Sequence, residues 1–133
     1  MREINGQFKK EYFSGNKDAV KLIIDYWDGI RSFSSMPKVI QDYCRASKLT
    51  NILDWITAFT FHASSDDYQK LKIPCLIVRS GLANVAMVQI SASLSKTIPN
   101  SKTAIVNKAN HFLIHSHPSE CANLLTTFLE EYN

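Results

Sequence analysis

The sequence is poor in the residues on which several common functions depend. It has four glycines and three cysteines in 133 residues, and its lysines and arginines are scattered along the chain. Disulfide frameworks and zinc fingers need cysteines at characteristic spacings, so the widely separated Cys44, Cys75 and Cys121 predict reduced, buried thiols. A net charge of +3 without a dense basic cluster predicts no nucleic-acid partner.

Long hydrophobic runs are also absent from the sequence. No segment reaches the roughly 20 apolar residues that a membrane-spanning helix needs. The first ten residues, M-R-E-I-N-G-Q-F-K-K, lack the apolar core of a secretion signal. The composition, 45% hydrophobic and 20% charged, is ordinary for a globular protein. We therefore expect a soluble, cytoplasmic protein with a hydrophobic core and no membrane partner.

The C-terminal half shows the order strand, helix, strand, loop, helix. The predicted strands are Pro74–Ser80 and Thr103–Asn107, and the predicted helices are Asn84–Lys96 and Pro118–Tyr132. Two short apolar strands joined by a helical crossover predict a covered parallel pair with a right-handed connection. His111 follows the second strand, at the carboxyl edge where open α/β sheets place their chemistry.

The N-terminal half is predicted to be helical. Apolar residues recur at helical spacing in residues 17–28, 34–47 and 49–59. Asn16 is the expected N-cap of the first helix, and Gly29 is the expected residue that ends it. The residues expected to face inward from the second and third helices are Val39, Ile40, Tyr43 and Cys44, followed by Leu49, Ile52, Leu53, Ile56 and Phe59.

Several segments taken together resemble the C-terminal half of an α/β-hydrolase. The residues Ala109-Asn110-His111-Phe112 match the loop in which that family carries its catalytic histidine, and His117-Pro118-Ser119-Glu120 match the proline-initiated helix that follows. Residues 24–29 and 54–59 resemble the family's helical cap. The resemblance implies an α/β class, partial α/β-hydrolase fold: a helical cap-like region at 1–66 and a C-terminal βαβα part at 67–133.

The resemblance implies that His111 is the general base of Ser-His-acid chemistry on a small ester, thioester or amide. Where the family usually has glycine before this histidine, Asn110 stands, and asparagine tolerates a positive φ. Asn84 stands at a usual position of the acid, in Gly81-Leu82-Ala83-Asn84. An amide brings no charge to imidazolium, so either the acid comes from elsewhere or the site is degenerate. Taken by itself, Asn84 is more typical of a helix N-cap.

The family's nucleophile elbow, G-x-S-x-G, has no counterpart in the sequence. The resemblance therefore implies the C-terminal portion of a hydrolase that is inactive as this chain alone. It would act as a homodimer or together with a separate N-terminal half. One alternative is a truncated, non-catalytic relative that binds a partner or dimerises. Another is an unrelated small α/β binding domain.

Neither a cofactor nor a metal is implied by the sequence. His115 and His117 lie close to His111, but a zinc site needs three or four convergent ligands. No cysteine or acidic residue stands at a suitable spacing from these histidines. We interpret His117, which directly precedes Pro118, as a residue at the start of the last helix.

Overall fold

The computed structural model describes residues 1–132, and the chain divides into two compact units, Met1–His62 and Ala63–Asn133. The first unit is helical, and the second combines helices with two parallel strands. The predicted mixture of helices with a parallel pair of strands is therefore confirmed. Within residues 1–132, no helix combines the length and the apolar character needed to cross a bilayer.

Five helices form the first unit. They are α1 (Arg2–Phe13), α2 (Val20–Asp28), α3 (Ser32–Ser35), α4 (Lys38–Ala46) and α5 (Lys48–Thr60). Its core consists of side chains that are at least nine-tenths buried, namely Phe8, Ala19, Val20, Ile23, Ile24, Phe33, Ile52 and Trp55. Trp27 stacks on Trp55 with ring centroids 5.8 Å apart, and Phe59 lies 5.3 Å from Trp55 on the same measure. The stack of Trp27 on Trp55 therefore joins α2 to α5.

Two predicted helix starts are wrong, and both have local causes. The Asp18 N–H donates to Asn16 Oδ1 at 2.9 Å, so Asn16 forms an Asx turn and α2 starts later than expected, without a side-chain cap. Met36 is extended, as is usual before proline, and its conformation divides the predicted second helix into α3 and α4. Gly29 ends α2 at φ 103°, as predicted.

The apolar side of α4 points away from the core, contrary to prediction. The residues expected to be buried are exposed to 72%, 43% and 71%, namely Val39, Ile40 and Tyr43. The side that faces inward carries Cys44, as predicted, together with Arg45. The Arg45 guanidinium lies 5.1 Å from the Phe33 ring centroid and therefore covers one face of that ring.

The buried side of α5 is also narrower than predicted. Ile52 and Trp55 are buried, and Phe59 packs against the core. The other residues of the predicted stripe remain about half exposed, namely Leu49, Leu53 and Ile56. Two exposed apolar stripes, one on α4 and one on α5, are therefore features of this unit.

The second unit carries the predicted βαβα order. Its elements are α6 (Ser65–Gln69), β1 (Cys75–Ser80), α7 (Val85–Thr97), β2 (Ser101–Val106), α8 (Leu113–Ser116) and α9 (Pro118–Glu130). The strands are parallel, with Cys75 opposite Ser101 and Ser80 opposite Val106. The short α8 was not predicted, and it occupies part of the loop between His111 and Pro118.

The sheet of the second unit is bordered by a helix on each face. Ile77 and Arg79 of β1 line a cleft against α7, whereas Leu76 lines a cleft against Phe128 of α9. Successive strand residues point to opposite faces, which explains this alternation. The most buried apolar side chains of this unit are few, namely Ile98, Val106 and Ala109.

Candidate functional site

Backbone hydrogen bonds join the loops that follow the two strands, at the carboxyl end of the sheet. The Gly81 N–H donates to the Val106 carbonyl at 2.8 Å, and the Leu82 N–H donates to the Ala109 carbonyl at 3.0 Å. These bonds join the loop that leads to Asn84 with the loop that leads to His111. The structure thereby places both predicted site residues at one edge of the sheet.

Gly81 allows this close approach of the two loops. A Cβ atom at this position would lie 3.2 Å from both the Asn107 Cα and the Lys108 nitrogen, and 3.3 Å from the Val106 carbonyl oxygen. All three are backbone atoms, which cannot rotate away as a side chain can. Space, rather than a special φ, therefore requires glycine here.

The positive φ of the histidine loop falls on Lys108 and not on Asn110. Lys108 has φ 60°, and Asn110 is not among the residues with positive φ. The expectation that asparagine replaces a glycine at a left-handed position is therefore wrong. A left-handed conformation costs a non-glycine residue about 1–2 kcal/mol. The fully buried Ala109 beside Lys108 anchors the turn.

His111 lines a groove that runs along β1 on the side away from β2. The groove has a volume of about 260 Å³. Its walls are residues 77–80 of β1, then Ala83, Met87, Ile90, Ser91 and Leu94, and finally His111 and Leu113. His111 is half-buried, and its ring meets Phe112 edge to face with centroids 5.4 Å apart. An imidazole thus stands at one end of an apolar groove.

Arg79 is the one charged side chain among the residues that line this groove. Its Nη1 donates to the Ser80 carbonyl at 3.1 Å. Two serines also line the groove, but neither is placed as a nucleophile. Ser91 Oγ donates to the Met87 carbonyl at 2.8 Å, within its own helix, and Ser80 is only 4% exposed. The groove therefore contains an imidazole, but neither of its serines is placed as a nucleophile for it.

Asn84 is the N-cap of α7. Its Oδ1 accepts a hydrogen bond from the Met87 N–H at 3.1 Å. The interpretation of Asn84 as a helix cap is thereby confirmed. Its second predicted role, as the residue that orients His111, stays a prediction.

The other histidines of this region do not form a metal site. His117 is the N-cap residue of α9, and its Nδ1 lies 2.8 Å from Ser116 Oγ. In the part of the chain that the structure describes, no group of three histidine, cysteine or acidic side chains is arranged to hold a metal ion.

The cysteines are free, but they are half-buried rather than buried. Partial burial raises the pKa of the Cys44 thiol, with Arg45 acting in the opposite direction. Because the thiolate is the reactive form of cysteine, a raised pKa makes Cys44 a poor nucleophile.

No model of a known protein family matches this chain, and no curated protein matches it. The resemblance to α/β-hydrolases therefore stays a prediction from the residues. The groove and the two loops at its end are the features from which function can be argued.

Proposed function

We propose that this chain is the C-terminal portion of an α/β-hydrolase and supplies His111 as the general base for ester, thioester or amide hydrolysis. The observation that carries the proposal is the position of His111 after β2, at the carboxyl end of a parallel pair and at the end of an apolar groove. A positioned imidazole can take a proton from a nucleophile and return it to the leaving group.

The nucleophile has to come from another polypeptide or from a part of a longer protein. The sequence has no G-x-S-x-G turn, and the serines of the groove are buried or engaged within a helix. We therefore expect that the isolated chain hydrolyses nothing, either as a monomer or as a homodimer that lacks this serine.

Ser-His-acid chemistry also needs a charged acid, and Asn84 cannot supply that charge. Asn84 stands on the loop that is fastened to the histidine loop, but its side chain is neutral and caps α7. An Asp→Asn change at the orienting position of a serine protease lowers turnover by about four orders of magnitude. The proposal therefore assigns the acid to the same polypeptide that carries the serine.

The test compares ester hydrolysis by the isolated chain with hydrolysis by the native assembly. The assembly is recovered from the protein's own cells with an antibody against α9, and the substrate is p-nitrophenyl butyrate. We expect background rates from the isolated chain and His111-dependent turnover from the assembly. The variant His115→Ala is the matched control, because His115 is an exposed neighbour outside the groove. Assembly turnover that survives His111→Ala would contradict the proposal.

A second function is favoured by the exposed apolar stripe of α4, where Val39 and Tyr43 are more than two-thirds exposed. Exposed apolar patches commonly mark interaction sites. In this alternative the chain is a non-catalytic relative whose helices bind a partner or a second copy. Stable association without any His111-dependent turnover would favour it over the first proposal.

A further inference from the structure

The edge of β1 that faces away from β2 has unused backbone groups. The Cys75 N–H donates to the Asn100 carbonyl at 2.9 Å, and the parallel register continues to Ser80 opposite Val106. In a parallel pair, alternate residues face the partner strand. Leu76 and Val78 therefore direct their N–H and C=O groups outward. Within residues 1–132, neither makes a backbone hydrogen bond outside the β1–β2 pairing.

The groove that contains His111 lies along this edge. Four consecutive residues of β1, 77–80, line it, and no residue of β2 does. Residues from both faces of a strand can line one groove only when that groove follows the strand's edge. Met87, Ile90 and Leu94 form its other wall from one side of α7, and Ile90 is 41% exposed. The helix thus extends beyond the sheet and leaves room for another strand beneath it.

The charge within the groove is confined to one end. Arg79 is the charged residue of its lining, and it stands beside Ser80 at the carboxyl end of β1. The Ser80 carbonyl already accepts from Arg79 at 3.1 Å and from the Ala83 N–H at 3.3 Å. A guanidinium has five N–H donors, so Arg79 retains donors for a carboxylate.

We propose that the groove binds an extended segment of a partner polypeptide as an additional strand on β1. Its backbone pairs with Leu76 and Val78, its apolar side chains at alternate positions cover Met87 and Ile90, and one carboxylate meets Arg79. This mode, strand addition to an open edge, takes affinity from backbone hydrogen bonds and specificity from alternate side chains. It does not depend on the acyl chemistry proposed for His111.

A second copy of this chain fits the groove less well than a strand that carries no helix on the same face of the sheet. Antiparallel pairing of β1 with its two-fold mate would place both copies of α7 on the same face of the joined sheet. Adjacent strands lie about 4.8 Å apart, whereas packed helices need about 8–10 Å between their axes. Because α7 already extends over the free edge, the two copies would overlap. The occupant is therefore a strand that has no helix of its own on this face.

The probe for this proposal is a fluorescein-labelled hexapeptide of alternating valine and threonine that ends in glutamate. Amide hydrogen exchange, followed by NMR, locates its binding site. We expect bound peptide to slow exchange at Leu76 and Val78, and to leave Ile77 and Arg79, whose amides already pair with β2, unchanged. Failure to slow exchange at Leu76 and Val78 at millimolar peptide would overturn the proposal.

Fluorescence anisotropy tests the charge requirement. We expect Arg79→Gln to weaken binding of this peptide about tenfold, as loss of a charge-assisted hydrogen bond does. Lys102→Gln removes the same charge outside the groove and is expected to leave the affinity unchanged. With the terminal carboxylate of both peptides blocked as an amide, a peptide that ends in glutamine should bind both variants and the original chain equally. Equal affinity of Arg79→Gln and the original chain for the glutamate peptide would contradict the assignment.

Sedimentation of the chain without peptide tests whether the chain dimerises, and amide exchange tests whether a second copy occupies the edge of β1. We expect no dimer that protects the outward amides of β1. A dimer in which the Leu76 and Val78 amides are already protected would show that a second copy occupies the edge, and it would overturn the proposal.

Discussion

Replacing Gly81 with alanine should destabilise the second unit and loosen the loop that carries His111. The new methyl group would meet two backbone atoms at 3.2 Å, the Asn107 Cα and the Lys108 nitrogen. These atoms belong to the loop that receives the hydrogen bonds of Gly81 and Leu82, at 2.8 and 3.0 Å. To accommodate the methyl group, the two loops have to separate.

The size of this effect follows from two destabilising contributions and one that offsets them. Overpacking costs about 1–3 kcal/mol, and each weakened backbone hydrogen bond adds about 0.5–1.5 kcal/mol. Alanine also restricts the unfolded chain, which offsets about 0.4–1 kcal/mol. With both hydrogen bonds weakened, we therefore expect a net loss of about 1–5 kcal/mol. For a unit of this size, each 1 kcal/mol lowers the melting temperature by about 4–8 °C.

Gly6→Ala is the matched control for this substitution. Gly6 lies within α1, where an added Cβ meets nothing within 4 Å. Alanine is favoured over glycine inside a helix by about 0.5–1 kcal/mol, so this variant should be stabilised. Replacing glycine with alanine is therefore expected to increase stability at residue 6 and to decrease it at residue 81.

Residue-resolved amide exchange by NMR separates the two results. Gly81→Ala should speed exchange at residues 81 and 82, and Gly6→Ala should slow exchange in α1. Both tryptophans lie in the first unit, so their fluorescence during urea unfolding provides a second measure for Gly6→Ala. If exchange at residues 81 and 82 is as slow in Gly81→Ala as in the original chain, the close-approach argument is wrong.

Two further predictions concern helix caps. Asn84→Ala should lower the stability by about 1 kcal/mol and expose the Met87 amide to exchange, whereas Asn84→Asp should keep the cap. Equal protection of the Met87 amide in both variants would contradict the cap assignment. At α6, the Ser64 backbone N–H and then its hydroxyl hold the pKa of Asp67 below its ordinary 3.8. The capping box therefore stabilises the helix above about pH 3.8, and this contribution is lost as the pH falls through the lowered pKa. Ser64→Ala should raise the pKa of Asp67 in an NMR titration, and an unchanged value would refute the argument.

The elements of the second unit could be located from sequence because their boundaries have local causes. Pro74 has no N–H to donate to the hydrogen bonds of the sheet, so β1 begins after it. Asn84 caps the crossover helix, and Pro118 begins the last helix. The predicted starts of the strands and of these two helices lie within two residues of those in the structure. Each boundary depends on one residue and its immediate neighbours, which is the information that a sequence contains.

The errors arose where an alternative local bond or a distant partner decided the outcome. Asn16 could cap a helix or form an Asx turn, and the sequence does not distinguish the two bonds. The apolar spacing of α4 predicted which residues share a face, but not that Arg45 would cover the Phe33 ring and turn that face outward. The first outcome depends on a choice between two local bonds, and the second depends on a tertiary contact.

The candidate site was predicted only in part. The sequence identified His111 and Asn84, and the spacing of the strands predicted the sheet edge that carries them. Arg79 was not recognised, because its position in the groove depends on the open edge of β1 and on α7 extending past it. A charged residue at the end of an apolar strand was the feature that could have indicated it.

Fluorophosphonate labelling of the native assembly tests the hydrolase proposal most directly, because this reagent reacts with activated serine nucleophiles. The assembly is recovered from the protein's own cells with an antibody against Pro118–Glu130, and the masses of the labelled polypeptides are measured by mass spectrometry. We predict one labelled serine, either in a longer form of this chain or in a polypeptide bound to it. Labelling should be lost in His111→Ala and retained in His115→Ala. An assembly of any mass with no labelled serine, or labelling that does not depend on His111, would contradict the proposal.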